Sequence, residues 1–371
     1  MAAHGQVYLV TGGRGFLGSR IVEMLAEREQ NVSDIRVYDV AKTNAVNLLV
    51  DQERSPLTSP PIVNVVGDIR DEQALTEACR GVDVIIHAAA VIDVTGRVPD
   101  QVMWDVNVKG TETLLRCCEK EGVPFLVYTS SVEVLGPNSS GDPIIDGHEN
   151  TPYNHTGHRF TYSRTKAEAE TLVLSHNGLV LSTGVTLRTC VLRPMYIYGE
   201  GGPVGVFPDW RYADNHGGKL PRISAKGPKV RPVYVGNAAW AHVLAAREIR
   251  RQPDVIGGQT YFVSDDTPVT DYSSFHAELL SPLGYTIDDD TLISLRVWYA
   301  LALLLEMIQW LLKPVLAFRP PMTRGILQLY NTAFYFGYEK ARKDLGYQPL
   351  FGWEEGKERT TRWLTEYKKE W

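Results

Sequence analysis

The chain has 371 residues, of which 44% are hydrophobic and 22% are charged, a balance typical of one large globular domain or two smaller ones. Its net charge of −6 argues against a nucleic-acid partner, because such a partner favours a basic face. The four cysteines match no metal-ligand spacing, so no metal is expected, and the adjacent pair Cys117 and Cys118 is poorly placed for a disulfide. We therefore expect free thiols and a reducing compartment.

From residue 6 to about residue 130, short apolar runs alternate with longer amphipathic ones. The apolar runs have the β-rich, almost continuously apolar character of strands covered on both faces, and they occupy 7–11, 35–40, 62–66, 82–90 and 125–131. Helical patterns lie between them at 16–29, 71–79 and 102–121, and the polar stretch 40–61 is interpreted as a loop. This alternation predicts an α/β fold with a doubly wound parallel sheet of the Rossmann type.

The pattern continues with a helix over about 162–176 and a strand at 185–193. After Gly199 it weakens into loops rich in glycine and proline. We therefore predict a Rossmann domain at 1–195 that carries the catalytic residues. A smaller mixed region at 196–371 would bind the substrate.

The first apolar run leads into a glycine-rich turn, Thr11–Gly18, with the sequence TGGRGFLG. Gly12 would permit a tight turn, Gly15 would let backbone N–H groups approach a pyrophosphate, and Gly18 would let the helix pack closely on the strand. The N-terminus of the following helix favours an anion. Asp39, at the end of the second strand, lies where a ribose-binding carboxylate belongs. The pattern predicts a dinucleotide-binding turn with contacts from Gly12, Gly15, Phe16, Leu17 and Gly18.

Asp39 also bears on the choice of cofactor. A carboxylate accepts a hydrogen bond from a ribose 2′-hydroxyl and repels a 2′-phosphate, which favours NAD over NADP. Arg14, inside the glycine turn, argues in the opposite direction, because a cation there could reach a phosphate. We give more weight to the repulsion by Asp39 and predict NAD as the cofactor.

The stretch FTYSRTKAE at 160–168 places Tyr162 four residues before Lys166, so the two side chains share one face of a helix. An ammonium beside a phenol stabilises the phenolate and lowers the tyrosine pKa from its reference of about 10. Such a phenol can exchange a proton with an alcohol or carbonyl oxygen, and the lysine could also hold the nicotinamide ribose. A second donor to the substrate oxygen would be Ser130 or Ser131, because both follow a strand at the carboxyl edge of the sheet.

The order of motifs along the chain resembles that of the extended short-chain dehydrogenases/reductases. The resemblance is closer to the vertebrate 3β-hydroxysteroid dehydrogenase/Δ5–Δ4 isomerases, and it covers about residues 7–363. The motifs that carry it are TGGRGFLG, GDI at 67–69, HAAA at 87–90, NVKGT at 107–111, YTSSVEVLGPN at 128–138, YSRTK at 162–166, LRPMYIYGEG at 192–201, VYVGNAAWAH at 233–242, SDDTP at 264–268 and PLFGWEE at 349–355.

The resemblance implies a role for each matching residue. Tyr162 would be the general base and acid, and Lys166 would be its electrostatic partner and the clamp on the ribose. Ser131 would hold the substrate oxygen, and Asn107 would order a water near the lysine. The remaining implied contacts are to the adenine, from Asp68 and Ile69, and to the nicotinamide, from His87, Ala88 and Ala89.

The same resemblance implies a two-stage reaction on a 3β-hydroxy-Δ5-steroid. Tyr162 would take the hydroxyl proton while hydride passes from carbon 3 to the nicotinamide. A base would then move the acidified proton of carbon 4 to carbon 6, which gives the 3-oxo-Δ4-steroid. Glu133, two residues past Ser131, is the candidate base, and the alternative is that it only caps or pairs at the strand end. A hormone precursor and a bile-acid intermediate both fit these motifs.

The most hydrophobic segment is VWYALALLLEMIQWLLK at 297–313. As a helix, its apolar part would be roughly 24 Å long, shorter than the hydrocarbon core of a bilayer. Three alternatives are open: a buried core helix, a monotopic helix on the membrane surface and a membrane-spanning helix. Trp298, Tyr299 and Trp310 suit a membrane surface. The resemblance implies endoplasmic reticulum and mitochondrial membranes, and pairing into a homodimer through helices that flank the Tyr–Lys helix.

Two other functions compete with this interpretation. A nucleotide-sugar epimerase or dehydratase would need cationic groups for a second pyrophosphate. The stretch KVRPVYVGNAAW at 229–240 lacks the arginine–aspartate pair that such enzymes usually carry before this YV segment. A non-catalytic NAD-sensing protein is disfavoured, because Tyr162 and Lys166 are both present. We therefore predict an NAD-dependent dehydrogenase and isomerase of a steroid.

Overall fold

The structure is a computed structural model, and it describes residues 5–42, 60–138, 140–152, 160–202, 212–288, 294–312, 319–320 and 322–369. Most of the predicted loop at 40–61 lies outside these ranges. The strands are β1 (Gln6–Thr11), β2 (Val32–Asp39), β3 (Ile62–Val66), β4 (Val84–His87), β5 (Phe125–Thr129), β6 (Ile144–Gly147), β7 (Arg188–Pro194), β8 (Ile197–Tyr198), β9 (Lys219–Pro221), β10 (Val233–Tyr234), β11 (Thr260–Val263), β12 (Thr286–Asp288) and β13 (Phe334–Phe336). The helices are α1 (Phe16–Arg28), α2 (Glu72–Cys79), α3 (Asp100–Met103), α4 (Gly110–Glu121), α5 (Thr161–Ser175), α6 (Val235–Arg251), α7 (Pro253–Ile256), α8 (Tyr272–Leu280), α9 (Leu295–Leu312), α10 (Arg324–Asn331), α11 (Glu339–Leu345) and α12 (Trp353–Lys369).

Seven parallel strands form the central sheet, in the order β11-β7-β5-β4-β1-β2-β3. Outside it, β8 pairs with β10, β9 with β12 and β6 with β13. The chain crosses from one side of β1 to the other between β3 and β4. The carboxyl ends of β1 and β4 therefore flank the switch point where doubly wound folds bind ligands. The predicted α/β class with a doubly wound parallel sheet is confirmed.

Both faces of the sheet are covered by helices. On β1, Tyr8 and Val10 join the core beneath α1 and α6, whereas Leu9 joins the core beneath α2, α4 and α5. All three side chains are fully buried, which explains why the strand is apolar throughout. Helix α6 was not predicted from the sequence, because its buried positions are mostly small residues, such as Ala238 and Ala245, which give a weak apolar pattern.

The sheet draws on residues from both predicted regions. The edge strand β11 lies beyond residue 195 and pairs with β7. Helix α6 also lies beyond that point and covers one face of the sheet. A division near residue 195 therefore does not separate the sheet from the rest of the chain. Other described residues beyond that point pack in a separate core that includes Tyr198, Tyr234 and Phe275.

All four cysteines are free and buried. Cys79, Cys117 and Cys118 lie in the core beneath α2, α4 and α5, and Cys190 lies in the core on the opposite face of the sheet. Burial raises the pKa of the Cys190 thiol to about 12. This thiol is therefore protonated and unreactive at neutral pH.

Helix α9 differs from the others because its apolar side chains face outward. Its 18 residues have a mean hydropathy of 1.5, and only 6% of them are buried. Four of its apolar side chains are between 52% and 74% exposed, namely Leu304, Met307, Trp310 and Leu311. The buried-core alternative for this segment is therefore excluded. By length and composition alone, the helix could cross a membrane.

Candidate active site

The glycine turn lies at the carboxyl ends of β1 and β4. Gly12 has a φ of +69°, a left-handed conformation that favours glycine, and a Cβ there would lie 2.6 Å from Ala89 Cα. Gly15 is the N-cap of α1, and a Cβ on Gly18 would overlap the Gly12 carbonyl. A side chain at Gly12 or Gly18 would therefore clash with backbone. The N–H groups of Gly12, Arg14 and Gly15 donate within the protein, so an anion would meet the first N–H groups of α1, which have no partner inside the helix.

Asp39 ends β2 beside the glycine turn. One carboxylate oxygen accepts a hydrogen bond from the Arg14 backbone N–H, and the other accepts one from the Ala41 N–H, both at 3.0 Å. The Arg14 guanidinium donates to the carbonyl of Lys42, so it faces the loop that follows β2. The two backbone donors fix the direction of the carboxylate at the edge where a ribose would bind.

The predicted adenine contacts follow β3. The Asp68 carboxylate accepts three hydrogen bonds from Arg70, the shortest at 2.6 Å, and these hold its pKa below the ordinary value. The Asp68 carbonyl accepts from the Tyr38 hydroxyl at 2.9 Å. Ile69 is buried, next to Gly110. The carboxylate of Asp68 is therefore engaged within the protein.

His87 ends β4 and is buried. One ring nitrogen lies 2.7 Å from the Thr11 hydroxyl, and the other lies 2.9 Å from the Thr111 hydroxyl. Burial lowers the pKa of the imidazole to about 3, so the ring is neutral. Both ring nitrogens therefore contact hydroxyl groups of the fold, and the role of His87 in lining the nicotinamide path stays a prediction. Ala88 and Ala89 lie directly against the glycine turn.

Tyr162 lies in the first turn of α5, and its phenol forms a hydrogen bond with the Ser131 hydroxyl. Ser131 follows β5 and also accepts a hydrogen bond from the Glu133 N–H at 3.2 Å. The other serine, Ser130, donates instead to Glu170 at 2.6 Å. Of the two serines that the sequence left open, Ser131 is therefore the one that meets the tyrosine.

Burial raises the pKa of the Tyr162 phenol, the Glu133 carboxyl adds to the rise, and the hydrogen bond with the serine opposes it. The Lys166 ammonium is directed elsewhere. It donates to the Thr129 carbonyl at 2.5 Å and lies over the Tyr128 ring, 4.5 Å from the ring centre. The prediction that the lysine lowers the tyrosine pKa is therefore wrong for this structure, because burial dominates.

Burial also lowers the pKa of the Lys166 ammonium to about 7, while the charge of Glu170 opposes the change. Glu170 lies one turn further along α5 and is paired with Arg193, whose Nε donates to it at 3.1 Å. Lys166 therefore stands near the midpoint of its titration at neutral pH. A small change in nearby charge is enough to alter its protonation.

Asn107 lies in a π-helical turn, Trp104–Lys109, which joins α3 to α4, and such turns are frequent at functional sites. Its side-chain oxygen accepts from the Val91 N–H at 2.8 Å. Its amide nitrogen donates to the Val91 carbonyl and to the Thr165 hydroxyl, both at 3.0 Å. The amide thus ties the loop after β4 to α5. Its predicted role in ordering a water would have to coexist with these three bonds.

Glu133 lies in a 3-10 turn, Val132–Val134, directly after β5. Its carboxylate accepts a hydrogen bond from the Ser163 hydroxyl at 3.0 Å, and burial raises its pKa to about 7. The same carboxyl contributes to the raised pKa values of Tyr162 and Tyr272. The carboxyl therefore interacts with the tyrosines of the site as well as with Ser163, and its role as the base stays a prediction.

Glu133→Gln is expected to stabilise the protein above about pH 7 and to leave its stability below about pH 4.5 unchanged. A carboxyl whose pKa rises from 4.5 to about 7 on folding contributes stability below the unfolded value, and this contribution is lost as the pH passes the folded value. The neutral glutamine avoids a loss of about 3 kcal/mol. Urea denaturation of both proteins across this pH range measures the difference. Glu168→Gln, at an exposed position on α5, is the control, and the same pH dependence in the two variants would contradict the expectation.

Residues 9–296 match the model of the 3-beta hydroxysteroid dehydrogenase/isomerase family. The chain belongs to this family. Its fold is that of the extended short-chain dehydrogenases/reductases, which solved structures of low sequence identity share.

Three solved structures illustrate the similarity of fold. A dTDP-glucose 4,6-dehydratase from Streptomyces venezuelae with NAD bound is 24% identical over 99% of both chains, with a TM-score of 0.70. A dTDP-glucose 4,6-dehydratase from Bacillus anthracis, in complex with NAD, is 21% identical over 99% of both chains, with a TM-score of 0.69. A UDP-glucose 4-epimerase from Thermus thermophilus, also in complex with NAD, is 22% identical over 97% of this chain and 99% of the epimerase, with a TM-score of 0.65.

Several residues of the site were not predicted from the sequence. Ser163, Thr165 and Glu170 lie on α5 and bond to Glu133, Asn107 and Ser130 respectively. Their helical spacing from the Tyr–Lys pair was the available signal. Tyr272 comes from α8, more than a hundred residues away along the chain, and no local spacing could have found it.

Proposed function

We propose that the protein oxidises a 3β-hydroxy-Δ5-steroid with NAD and then isomerises the product to the 3-oxo-Δ4-steroid. The observation that carries the proposal is the meeting of three groups after β5. The Tyr162 phenol bonds to the Ser131 hydroxyl, and the Glu133 carboxyl faces the same phenol. The first two groups fit the oxidation of an alcohol, and the carboxyl adds the acid-base group that isomerisation needs. Membership of the family supports the same reaction.

The proposed NAD site consists of the glycine turn and Asp39. A Cβ at Gly12 or Gly18 would clash with backbone, so the turn suits the close approach of a pyrophosphate. Asp39 lies where it could accept from a ribose hydroxyl. The NAD bound to the three similar structures supports this cofactor. Bound NAD supplies the acceptor for the hydride of carbon 3.

The residues of the chain account for the proton transfers. Ser131 holds the substrate oxygen, and Tyr162 accepts its proton. The phenol is neutral at rest, since burial raises its pKa, so it must first lose its own proton, and the hydrogen bond with Ser131 favours the phenolate that then accepts the alcohol proton. Glu133 then takes a proton from carbon 4 and returns it at carbon 6. A carboxyl with a pKa of about 7 can both accept and return a proton at neutral pH.

A nucleotide-sugar epimerase or dehydratase is the second candidate, and the three similar structures favour it. Its substrate would need cations in the region after β7 to bind a diphosphate. Two arginines described there are already paired. Arg222 lies 3.2 Å from Asp271, and Arg231 lies 3.0 Å from Asp146. Their pairing favours an uncharged substrate such as a steroid.

We further propose that α9 lies on the surface of the endoplasmic reticulum membrane. Its exposed apolar side chains support this placement. Glu306, within the helix, accepts from the backbone N–H and the guanidinium of Arg324, both at 2.7 Å, which holds α9 against α10. Helix α10 packs at Gly325 near Phe160, the N-cap of the catalytic helix α5. A lipid-dissolved substrate would thus meet the protein close to its site. The proposed homodimer rests on the family resemblance.

The proposal is tested by assaying the protein with pregnenolone and with 7α-hydroxycholesterol, each in the presence of NAD or NADP. UDP-glucose and dTDP-glucose are assayed in parallel. We expect steroid-dependent reduction of NAD, followed by the ultraviolet absorbance of a conjugated enone. Turnover of neither steroid would remove the proposal. Turnover of a sugar nucleotide alone would establish the second candidate.

A further inference from the structure

We infer that Ser163 is a positioning residue for Glu133, and that it holds one carboxylate oxygen so that the other oxygen carries the proton from carbon 4 to carbon 6. The inference rests on the proposed function, and it assigns a separate role within the isomerisation to a residue next to the catalytic tyrosine.

Two serines from different elements hold Glu133, one at its backbone and one at its carboxyl. Ser131 caps the 3-10 turn by accepting from the Glu133 backbone N–H at 3.2 Å. Ser163, the third residue of α5, is 3% exposed, and its hydroxyl donates to Glu133 Oε2 at 3.0 Å. The first contact sets the backbone of the base, and the second sets the rotation of its carboxylate. Such control of geometry is what an acid-base group requires.

Among the residues that the structure describes, two tyrosines interact electrostatically with this carboxyl. Tyr162 lies on α5 and Tyr272 on α8, and burial raises the pKa of both. Both are therefore neutral at physiological pH and provide no charge to orient the carboxylate. Within the described ranges, the Ser163 hydroxyl is the side-chain donor to Glu133. Oε1 is thus the oxygen left to exchange a proton with a substrate.

The proton transfer is balanced without a further reactant. Glu133 Oε1 takes a proton from carbon 4, and the electrons of that bond form a double bond to carbon 3 as the ketone becomes an enolate. When the ketone forms again, the double bond between carbons 5 and 6 moves to carbons 4 and 5, and carbon 6 takes the proton back from Glu133. The carboxylate is regenerated. The hydrogen bond to Oε2 holds that oxygen in place while Oε1 moves the proton from carbon 4 to carbon 6.

The test measures isomerisation of a 3-oxo-Δ5-steroid supplied directly, and oxidation of a 3β-hydroxy-Δ5-steroid with NAD. Ser163→Ala is expected to lower the isomerisation rate about tenfold relative to the oxidation rate. Its isomerisation pH profile is expected to move to higher pH, because loss of the donor raises the pKa of the carboxyl. Ser163→Thr keeps a hydroxyl donor, so its isomerisation rate and pH profile should match those of the unaltered protein. Ser175→Ala, at the exposed end of the same helix, is the matched control and should change neither rate.

The outcomes separate this inference from the proposed function. An unchanged isomerisation rate and pH profile in Ser163→Ala would overturn the role of Ser163 alone. Failure of the unaltered protein to isomerise the steroid would overturn the proposed function. If circular dichroism shows that the alanine variant is unfolded, Ser163→Cys replaces it, because a thiol is a weak donor of similar size. Identical pH profiles for the cysteine and threonine variants would then count against the inference, and a cysteine profile at higher pH would support it.

Discussion

Tyr162→Phe is expected to lower the rate of NAD-dependent oxidation by about a thousandfold, with a much smaller effect on NAD binding. The change removes the oxygen that accepts the alcohol proton and its hydrogen bond with Ser131, and it keeps the ring that packs in the site. Since burial raises the pKa of this phenol, oxidation by the unaltered protein should become faster as the pH rises above neutrality. That rise should disappear in the variant. The absorbance of reduced nicotinamide, followed over a pH series, measures both effects.

Tyr128 offers a matched control for this substitution. It is a buried tyrosine next to the site, and its hydroxyl has no hydrogen-bond partner within the described part of the chain. The Lys166 ammonium lies 4.5 Å from the centre of its ring, and phenylalanine keeps that ring. Tyr128→Phe should therefore reduce oxidation by no more than about threefold. Equal losses in the two variants would show that packing, and not the Tyr162 oxygen, explains the effect.

Gly12→Ala is expected to weaken NAD binding at least about a hundredfold. The φ of +69° costs an L-residue about 1–2 kcal/mol, and the new Cβ would lie 2.6 Å from the Cα of Ala89. Because the clash is with backbone, a side-chain rotation cannot relieve it, so the turn that would hold the pyrophosphate has to move. Calorimetric titration with NAD measures the change in affinity.

Gly81→Ala is the control for Gly12→Ala, because it introduces similar backbone strain without a steric clash. Gly81 has a φ of +68°, and a Cβ there would meet nothing within 4 Å. This variant should lose about 1–2 kcal/mol of stability and bind NAD normally. If Gly12→Ala and Gly81→Ala bind NAD equally well, the glycine turn is not the cofactor site.

The first half of the sheet could be predicted because parallel strands buried on both faces leave a continuous apolar signal. The expected strands at 35–40 and 125–131 correspond to Val32–Asp39 and Phe125–Thr129. The edge strand Thr260–Val263 is only four residues long and lacks a neighbouring helix with a strong apolar pattern, so periodicity did not reveal it. Its place in the sheet depends on pairing with β7, which is a contact between distant parts of the chain.

For the site, the sequence could predict which residues lie close together but not their surroundings. Helical spacing and the end of β5 brought Tyr162 and Ser131 to the same place. The direction of the Lys166 ammonium depends on the Thr129 carbonyl and the Tyr128 ring, which no spacing rule includes. The pKa values depend in the same way on burial by packed neighbours, so the tyrosine pKa is raised where the pair alone predicted the opposite.

The four buried thiols can serve as probes of local unfolding, because they lie on two different faces of the sheet. Cys79, Cys117 and Cys118 lie on one face of the sheet, and Cys190 lies on the other. A maleimide reagent can reach a given sulfur only after the helices over that face have separated from the strands. Mass spectrometry of the cysteine-containing peptides, sampled during slow denaturation, would therefore show which layer of helices separates from the sheet first.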